Sequence, residues 1–444
     1  MMFGTSGIRG EFGTEITAEL ALNAGRAVAS EGASRVVVGR DVRPTGRILT
    51  DAVASGLQEC GADVLDLGVA PTPTVARAVE WHDADMGIVV TASHNPAADN
   101  GLKFWDGAGR AIVGERQRAL ADRIERGEYD IRPWNEIGSH DTVSDAVERH
   151  VDAIADEDAA LDLDVVVDVG NGTGTVTADA LRRMGCRVRT LDADPNGSFP
   201  SRSNEPTEGS CARLSTVVAG SDAEIGVAHD GDADRMMAVT ESGTFVPGDV
   251  LLAVFAQEAA SPGEEVAVPI DTSIAVTEAL KAVGATTTYT RVGDGHVADR
   301  TTNDGVVFGG EPSGAWIWPS EAPCPDGPLA AVRLATLVAR RGSLDDIVAE
   351  IPTAPIRRGN VETEARESVV NRVRGCVAGR YRNTTALDGV RVDVDDGWFL
   401  VRASGTEPLV RVTAEAGTED RVKLLFRTAR RLVDQAAADI EMKV

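Results

Sequence analysis

At 444 residues the chain is long enough for about three domains, and for large apolar cores that need no covalent staples. Seventy acidic against forty-four basic residues give a net charge of −26, which repels a nucleic-acid backbone and excludes that class of partner. Five scattered cysteines (Cys60, Cys186, Cys211, Cys324 and Cys376) form no C-x-x-C pair, so neither a disulfide frame nor a zinc site is expected. They indicate a reducing, cytoplasmic setting. The polar, glycine-rich start predicts no signal peptide, and no apolar run is long enough to span a membrane. The acidity also suits a high-salt cell, where a Debye length of about 3 Å at 1 M relieves self-repulsion. Loss of structure on dialysis to low salt is the expected outcome; indifference to salt would contradict it.

In chain order, Ser34 to Gly39, a helix from Arg47 to Cys60, and Asp63 to Leu67 form a βαβ unit. A short apolar strand, Met86 to Thr91, follows. A second unit runs from Val165 to Val169, through a helix near Thr177 to Met184, and returns at Arg187 to Leu191. A third comprises Val266 to Ile270, a helix from Ala275 to Val283, and Thr286 to Tyr289. Similar spacing marks the three as a structural repeat. After about Pro355 the rhythm changes, which predicts an α+β module.

Four loops carry chemistry. Thr91-Ala92-Ser93-His94-Asn95-Pro96 presents Ser93 on a tight turn at the end of a core strand, because Asn95-Pro96 stops regular structure. The neighbouring imidazole suggests a hydrolase, but triad partners usually meet through the fold rather than along the chain. Asp230-Gly231-Asp232-Ala233-Asp234-Arg235 places three carboxylates around small spacers, a set that suits Mg²⁺ better than zinc or copper. An EF-hand reading, prompted by Glu241 at the twelfth position, fails: Arg235 takes the place of the required glycine, and Met236 to Thr240 continues as a strand. Gly310-Glu311-Pro312-Ser313-Gly314 follows the strand Gly305 to Phe308, and its Glu311 and Ser313 could hydrogen-bond vicinal sugar hydroxyls. Arg402-Ala403-Ser404-Gly405-Thr406-Glu407-Pro408, with Arg411 nearby, follows the strand Trp398 to Val401 and offers the donors a phosphate dianion needs. One competing motif, Gly170-Asn171-Gly172-Thr173-Gly174-Thr175, lacks the glycine or alanine a dinucleotide fingerprint wants at its sixth position, so it is read as helix-on-strand packing.

Taken in this order, and with Phe3-Gly4-Thr5-Ser6-Gly7-Ile8-Arg9-Gly10 at the start, the loops resemble those of the α-D-phosphohexomutase superfamily over essentially the whole chain. The resemblance implies three similar mixed α/β domains in tandem plus a smaller C-terminal α+β domain around a central cleft. The expected divisions are residues 1–140 with the phosphoserine loop, 141–245 with the metal loop, 246–353 with the sugar loop, and 354–444 with the phosphate loop. It implies interconversion of hexose 6-phosphate and hexose 1-phosphate. Ser93 would be carried as phosphoserine, and one Mg²⁺ per chain would be held by Ser93, Asp230, Asp232 and Asp234. A hexose 1,6-bisphosphate would act as primer, and Arg235 would offset charge. Glu311 and Ser313 would hold the sugar, and Arg402, Ser404, Gly405, Thr406 and Arg411 the phosphate that is not reacting.

By the same resemblance Lys103 is the general base, with His94 and Arg9 in support. Composition favours this: Lys103, Lys281, Lys423 and Lys443 are the only lysines among the 44 basic residues. An arginine cannot give up its proton, whereas a desolvated lysine can be tuned to a pKa of about 7–8. Two departures bear on substrate. Many bacterial members follow the sugar loop with histidine, but here Ala315-Trp316 follows, and Val292-Gly293-Asp294 runs into Gly295-His296. The sugar loop looks most like that of archaeal-type phosphoglucosamine mutases, so glucosamine phosphate is expected ahead of mannose and glucose phosphates. The alternatives are a phosphomannomutase/phosphoglucomutase, a Mg²⁺-dependent sugar phosphatase and a non-catalytic sensor.

Overall fold

The computed structural model describes residues 3–4, 7–156, 159–405 and 408–441. Their strands form four separate sheets, three mixed and covered by helices and the last wholly antiparallel. In the first, Arg35–Arg40 lies parallel to both Asp63–Val69 and Met86–Val90, as the first βαβ unit requires. Asp99–Asp106 then pairs antiparallel with Met86–Val90 on one side and with Gly7–Glu11 on the other. The second sheet has the order Met236–Thr240, Ile225–His229, Asp164–Asp168, Arg187–Leu191. The third has Thr286–Thr290, Glu265–Pro269, Val306–Gly310, Trp316–Ile317. The C-terminal sheet of Ile356–Glu362, Leu409–Ala416, Gly397–Ala403, Val390–Val394 and Asn383–Thr385 carries Arg366–Ala378 and Glu419–Glu441, as the change of rhythm after Pro355 predicts.

One rule places all four chemical loops. Each joins a buried or largely buried strand to the antiparallel strand beside it: Met86–Val90 to Asp99–Asp106, Ile225–His229 to Met236–Thr240, Val306–Gly310 to Trp316–Ile317, and Gly397–Ala403 to Leu409–Ala416. In the three repeated sheets the incoming strand also pairs parallel with a neighbour. The incoming strands are largely apolar because helices cover them, so most of their polar residues fall at the ends where the chain turns.

The second and third sheets share one core. Phe255, Phe308, Trp316 and Trp318 pack together within it in edge-on and tilted contacts, with Phe255 and Trp316 centroids 5.2 Å apart at 64°. Trp316 is fully buried, and its indole N–H donates to the Met236 carbonyl at 2.7 Å, which ties the sugar loop's hairpin to the metal loop's outgoing strand. Among the described residues no helix is long and apolar enough to cross a membrane.

Candidate active site

Ser93 is buried and sits at φ +50°, in the left-handed region that non-glycine residues rarely occupy. Its hydroxyl donates to Asp230 Oδ2 at 2.7 Å across the boundary between the first two sheets. His94 Nδ1 lies 3.4 Å from Ser93 Oγ. Burial, reinforced by the positive Arg235, Arg9 and Lys103, pushes the His94 imidazole down to about 2, so it is neutral and a poor base. The Ser-His hydrolase suggestion therefore fails on geometry: the proton of Ser93 is directed at a carboxylate.

The metal loop delivers what its spacing predicts. Oxygens of Asp230, Asp232 and Asp234, all buried, lie within 4.8 Å of one another. Ala233 takes φ +54°, which lets the alternating carboxylates converge. Burial, then the charges of Asp234 and Asp232, push Asp230 well above the ordinary carboxylate range. Asp234 is raised by burial and by Asp232. Asp232 goes the other way: burial would raise it, but the Lys103 ammonium holds it below the usual range. Its Oδ2 accepts from Lys103 Nζ at 2.8 Å and from Thr72 Oγ1 at 2.6 Å, while its Oδ1 is buried without a hydrogen-bond partner. A buried carboxylate oxygen left without a donor costs about 1–3 kcal/mol, and a hard cation would satisfy it. The donor set fits Mg²⁺.

Lys103 departs from its expected electrostatics. Desolvation alone would lower its pKa, but Asp232 and Asp234, both bonded to the ammonium, overcome that and raise it. The side chain lies against the aspartates, and it is held protonated rather than tuned towards neutrality. Arg9, on Gly7–Glu11, adds positive charge beside Lys103, His94 and Asp232, and its Nε is buried without a hydrogen-bond partner. Arg235 donates from Nη1 to Glu205 at 3.1 Å, and its backbone N–H donates to Asp230.

The sugar loop is stitched to the metal loop by an Arg235–Ala315 bridge and by Met236 N–H donating to the Gly314 carbonyl at 3.0 Å. Glu311 is buried. It accepts from Gly293 N–H at 2.7 Å and from the Ser313 hydroxyl at 3.3 Å, and burial together with Asp294 pushes it up to about 7. In the C-terminal sheet Arg402 and Arg411 are directly opposed across neighbouring strands. Arg402 lies 3.8 Å from Asp271 and 3.9 Å from Asp388, both long contacts. Ser404 is buried, with its N–H on the Leu409 carbonyl, and Gly405 is exposed. Thr406 lies outside the described residues.

The glycine-rich Gly170 to Thr175 segment packs on the metal loop. Thr173 N–H donates to the Gly231 carbonyl at 3.1 Å, and a Cβ on Gly172 would meet that carbonyl at 2.6 Å. Several contributing residues were not singled out from the sequence: Thr72, Asn204, Asp41 and Arg43. Asn204 Nδ2 donates to the Ser93 carbonyl at 2.5 Å. The available signal was Asp41-Val42-Arg43, a charged pair directly after an apolar strand, where a buried ion pair needs a reason.

Fold and site together define an α/β phosphoryl-transfer enzyme built from three repeated units and a C-terminal domain. Comparison with known proteins agrees along the chain. Four domain families match: phosphoglucomutase/phosphomannomutase alpha/beta/alpha domain I over residues 1–130, domain II over 143–243, domain III over 247–354, and the C-terminal domain over 360–432. A probable phosphoglucosamine mutase of Methanopyrus kandleri is 44% identical over 434 residues, 95% of each chain. One from Methanococcoides burtonii is 40% identical, covering 98% of this chain and 99% of its own. Among solved structures, a phosphoglucomutase/phosphomannomutase family protein from Burkholderia thailandensis superposes with a TM-score of 0.88 at 28% identity over 97% of both chains. The chain belongs to the phosphoglucomutase/phosphomannomutase family.

Proposed function

We propose that the protein interconverts glucosamine 6-phosphate and glucosamine 1-phosphate through a phosphorylated Ser93. As a family member it is a hexose-phosphate mutase, an isomerase; the choice of sugar and the roles of individual residues are the proposal. The sugar is supported by the Gly-Glu-Pro-Ser-Gly-Ala-Trp loop and by relatives at 38–44% identity that are named probable phosphoglucosamine mutases. The domain divisions near residues 140, 245 and 353 belong to the same proposal. The observation that carries the mechanism is the 2.7 Å hydrogen bond from Ser93 Oγ to Asp230, inside a cluster of three buried aspartates and a lysine.

A Mg²⁺ held by Asp230, Asp232, Asp234 and an oxygen on Ser93 would neutralise phosphoryl charge and make phosphorus more electrophilic. The protein's remaining task is to position groups and complement charge, because phosphoryl transfer needs little covalent work. A sugar hydroxyl oxygen bonds to phosphorus and the P–Oγ bond to Ser93 breaks; the hydroxyl proton passes to Lys103, which would be free to lose its own proton to solvent beforehand once Asp232 and Asp234 hold the cation instead of its ammonium. The freed Ser93 oxygen takes that proton back from Lys103, and the resulting hydroxyl donates a hydrogen bond to Asp230, the arrangement seen here. The hexose 1,6-bisphosphate then reorients and returns its other phosphate to Ser93, and a trace of the same compound primes unphosphorylated enzyme. Glu311 and Ser313 hold the ring hydroxyls, while Arg402, Ser404, Gly405, Thr406 and Arg411 hold the distal phosphate. Arg9, Arg235 and neutral His94 line the phosphoserine and stabilise its charge.

Phosphorus NMR of separate reactions with glucosamine, mannose and glucose 6-phosphates, each with Mg²⁺, salt and bisphosphate primer, tests the reading. An anomeric phosphate signal growing fastest with the amino sugar is expected. Faster turnover of mannose or glucose phosphate would move the assignment to a phosphomannomutase/phosphoglucomutase. Release of inorganic phosphate alone would make the protein a phosphatase.

A further inference from the structure

We infer that Arg43 is a positioning residue for Ser93, acting through the backbone of the loop that carries the nucleophile. The inference rests on the phosphoserine reading above and extends it to a residue outside the reacting cluster. Arg43 is 1% exposed, a rare situation for a guanidinium. Nε donates to Asp41 Oδ2 at 3.0 Å. Nη1 donates to the carbonyls of Pro96 at 2.5 Å and Asp99 at 2.8 Å. Nη2 donates to those of Ser93 at 2.9 Å and Asn95 at 2.7 Å. All five N–H donors are therefore used, four of them on one turn of backbone.

Asp41 completes the frame. It is fully buried and accepts from the Arg43 N–H at 2.9 Å and from the Thr91 hydroxyl at 2.8 Å. Thr91 Oγ1 in turn accepts from the Ser93 N–H at 2.8 Å. The backbone of Ser93 is thus held on both sides, its N–H through Thr91 and its carbonyl by Arg43. That matters because φ +50° costs a serine about 1–2 kcal/mol, so the loop would relax without over-determination. Relaxation would turn the hydroxyl away from Asp230.

Stability alone does not account for this arrangement. A buried ion pair is often no more stabilising than apolar residues of the same volume, so its usefulness lies in the geometry it enforces. Only a planar guanidinium can spread five donors over four carbonyls and a carboxylate; a lysine presents three donors at one point. The second unit also reads the same frame. A Cβ on Gly197 would meet the Val42 carbonyl at 2.4 Å, the Phe199 ring lies 5.1 Å from the Arg43 guanidinium, and Asn204 gives the Ser93 carbonyl its second donor. The loop bearing the nucleophile is accordingly fixed against the unit that brings the metal ligands.

The test measures kcat, KM and the rate of Ser93 phosphorylation by glucose 1,6-bisphosphate in full-length Arg43→Lys and Asn204→Ala proteins, at matched folded fraction. A misplacement of about 1 Å at a reacting group costs about a hundredfold in rate. Arg43→Lys is therefore expected to lower kcat and the phosphorylation rate about a hundredfold each, with KM within about threefold. Loss of one carbonyl donor in Asn204→Ala should cost about tenfold in kcat, again with KM held. Rates in both variants within twofold of the parent would overturn the inference, as would losses that follow only the folded fraction. If Arg43→Lys does not fold, Asn204→Ala decides. A parent protein that takes no phosphate onto Ser93 would instead overturn the phosphoserine reading itself.

Discussion

The two halves of the candidate site are built differently. Around Ser93 and the aspartates the bonded groups are buried and short bonds cross between units: Ser93 to Asp230, Thr72 to Asp232, Lys103 to two carboxylates, Asn204 to the Ser93 carbonyl. Around Arg402 the nearest carboxylates stand at 3.8 and 3.9 Å, Gly405 is exposed, and two arginines face each other across strands. Other bonds join the third and fourth units: Glu415 accepts from Ser273 Oγ at 2.5 Å and Arg391 donates to the Ile270 carbonyl at 2.7 Å. A mutase must react at one invariant phosphorus position yet hold a sugar in two orientations. Pre-organisation belongs where bonds change, and adaptable donors belong where the ligand turns round.

Variants can break or sharpen this contrast. Ser93→Ala removes the proposed phosphoryl acceptor, so turnover and phosphate uptake from a bisphosphate should both fall by about a thousandfold or more. Asp232→Asn weakens the carboxylate that faces Lys103 and Thr72. A loss of about a hundredfold or more in kcat is expected, and extra Mg²⁺ should restore part of it. Arg402→Ala lies in the adaptable half. Loss of a charged donor worth about 1.5–3 kcal/mol should raise KM ten- to a hundredfold and leave Ser93 phosphorylation by bisphosphate far less affected. An equal fall in kcat for Arg402→Ala and Asp232→Asn would erase the distinction between the halves.

The smallest expected effect is on stability. Burial and Asp294 push Glu311 up to about 7 from an ordinary 4.5. A carboxyl with a raised folded pKa favours the folded state below its unfolded pKa, and that contribution is lost as pH rises through the folded value. Glu311→Gln should therefore gain stability relative to the parent between about pH 5 and 7, by roughly 2–3 kcal/mol at the upper end. Denaturant melts at pH 4.5, 6 and 7.5 would show this; a pH-independent difference would contradict it.

Much of this was legible in the chain because strand periodicity and local motifs are local properties. The strands of the three βαβ units were placed within about two residues, since apolar β-branched runs bounded by glycine have few alternatives. The aspartate triad was legible because alternate spacing survives folding. The pKa of Lys103 was not, because its direction depends on two carboxylates 129 and 131 residues away in sequence. Arg43 escaped for the same reason, as four of its acceptors lie some fifty residues along the chain. The shared slot of the four loops, between each strand and its antiparallel neighbour, appears only once pairing is known.

The most direct test of the central claim follows ¹⁸O-labelled phosphate from glucosamine 6-phosphate onto the Ser93 peptide by mass spectrometry during turnover. If Ser93 donates one phosphoryl group and recovers the other, label must appear on Ser93 as fast as the first 1-phosphate forms. Formation of glucosamine 1-phosphate with Ser93 unlabelled would contradict the account.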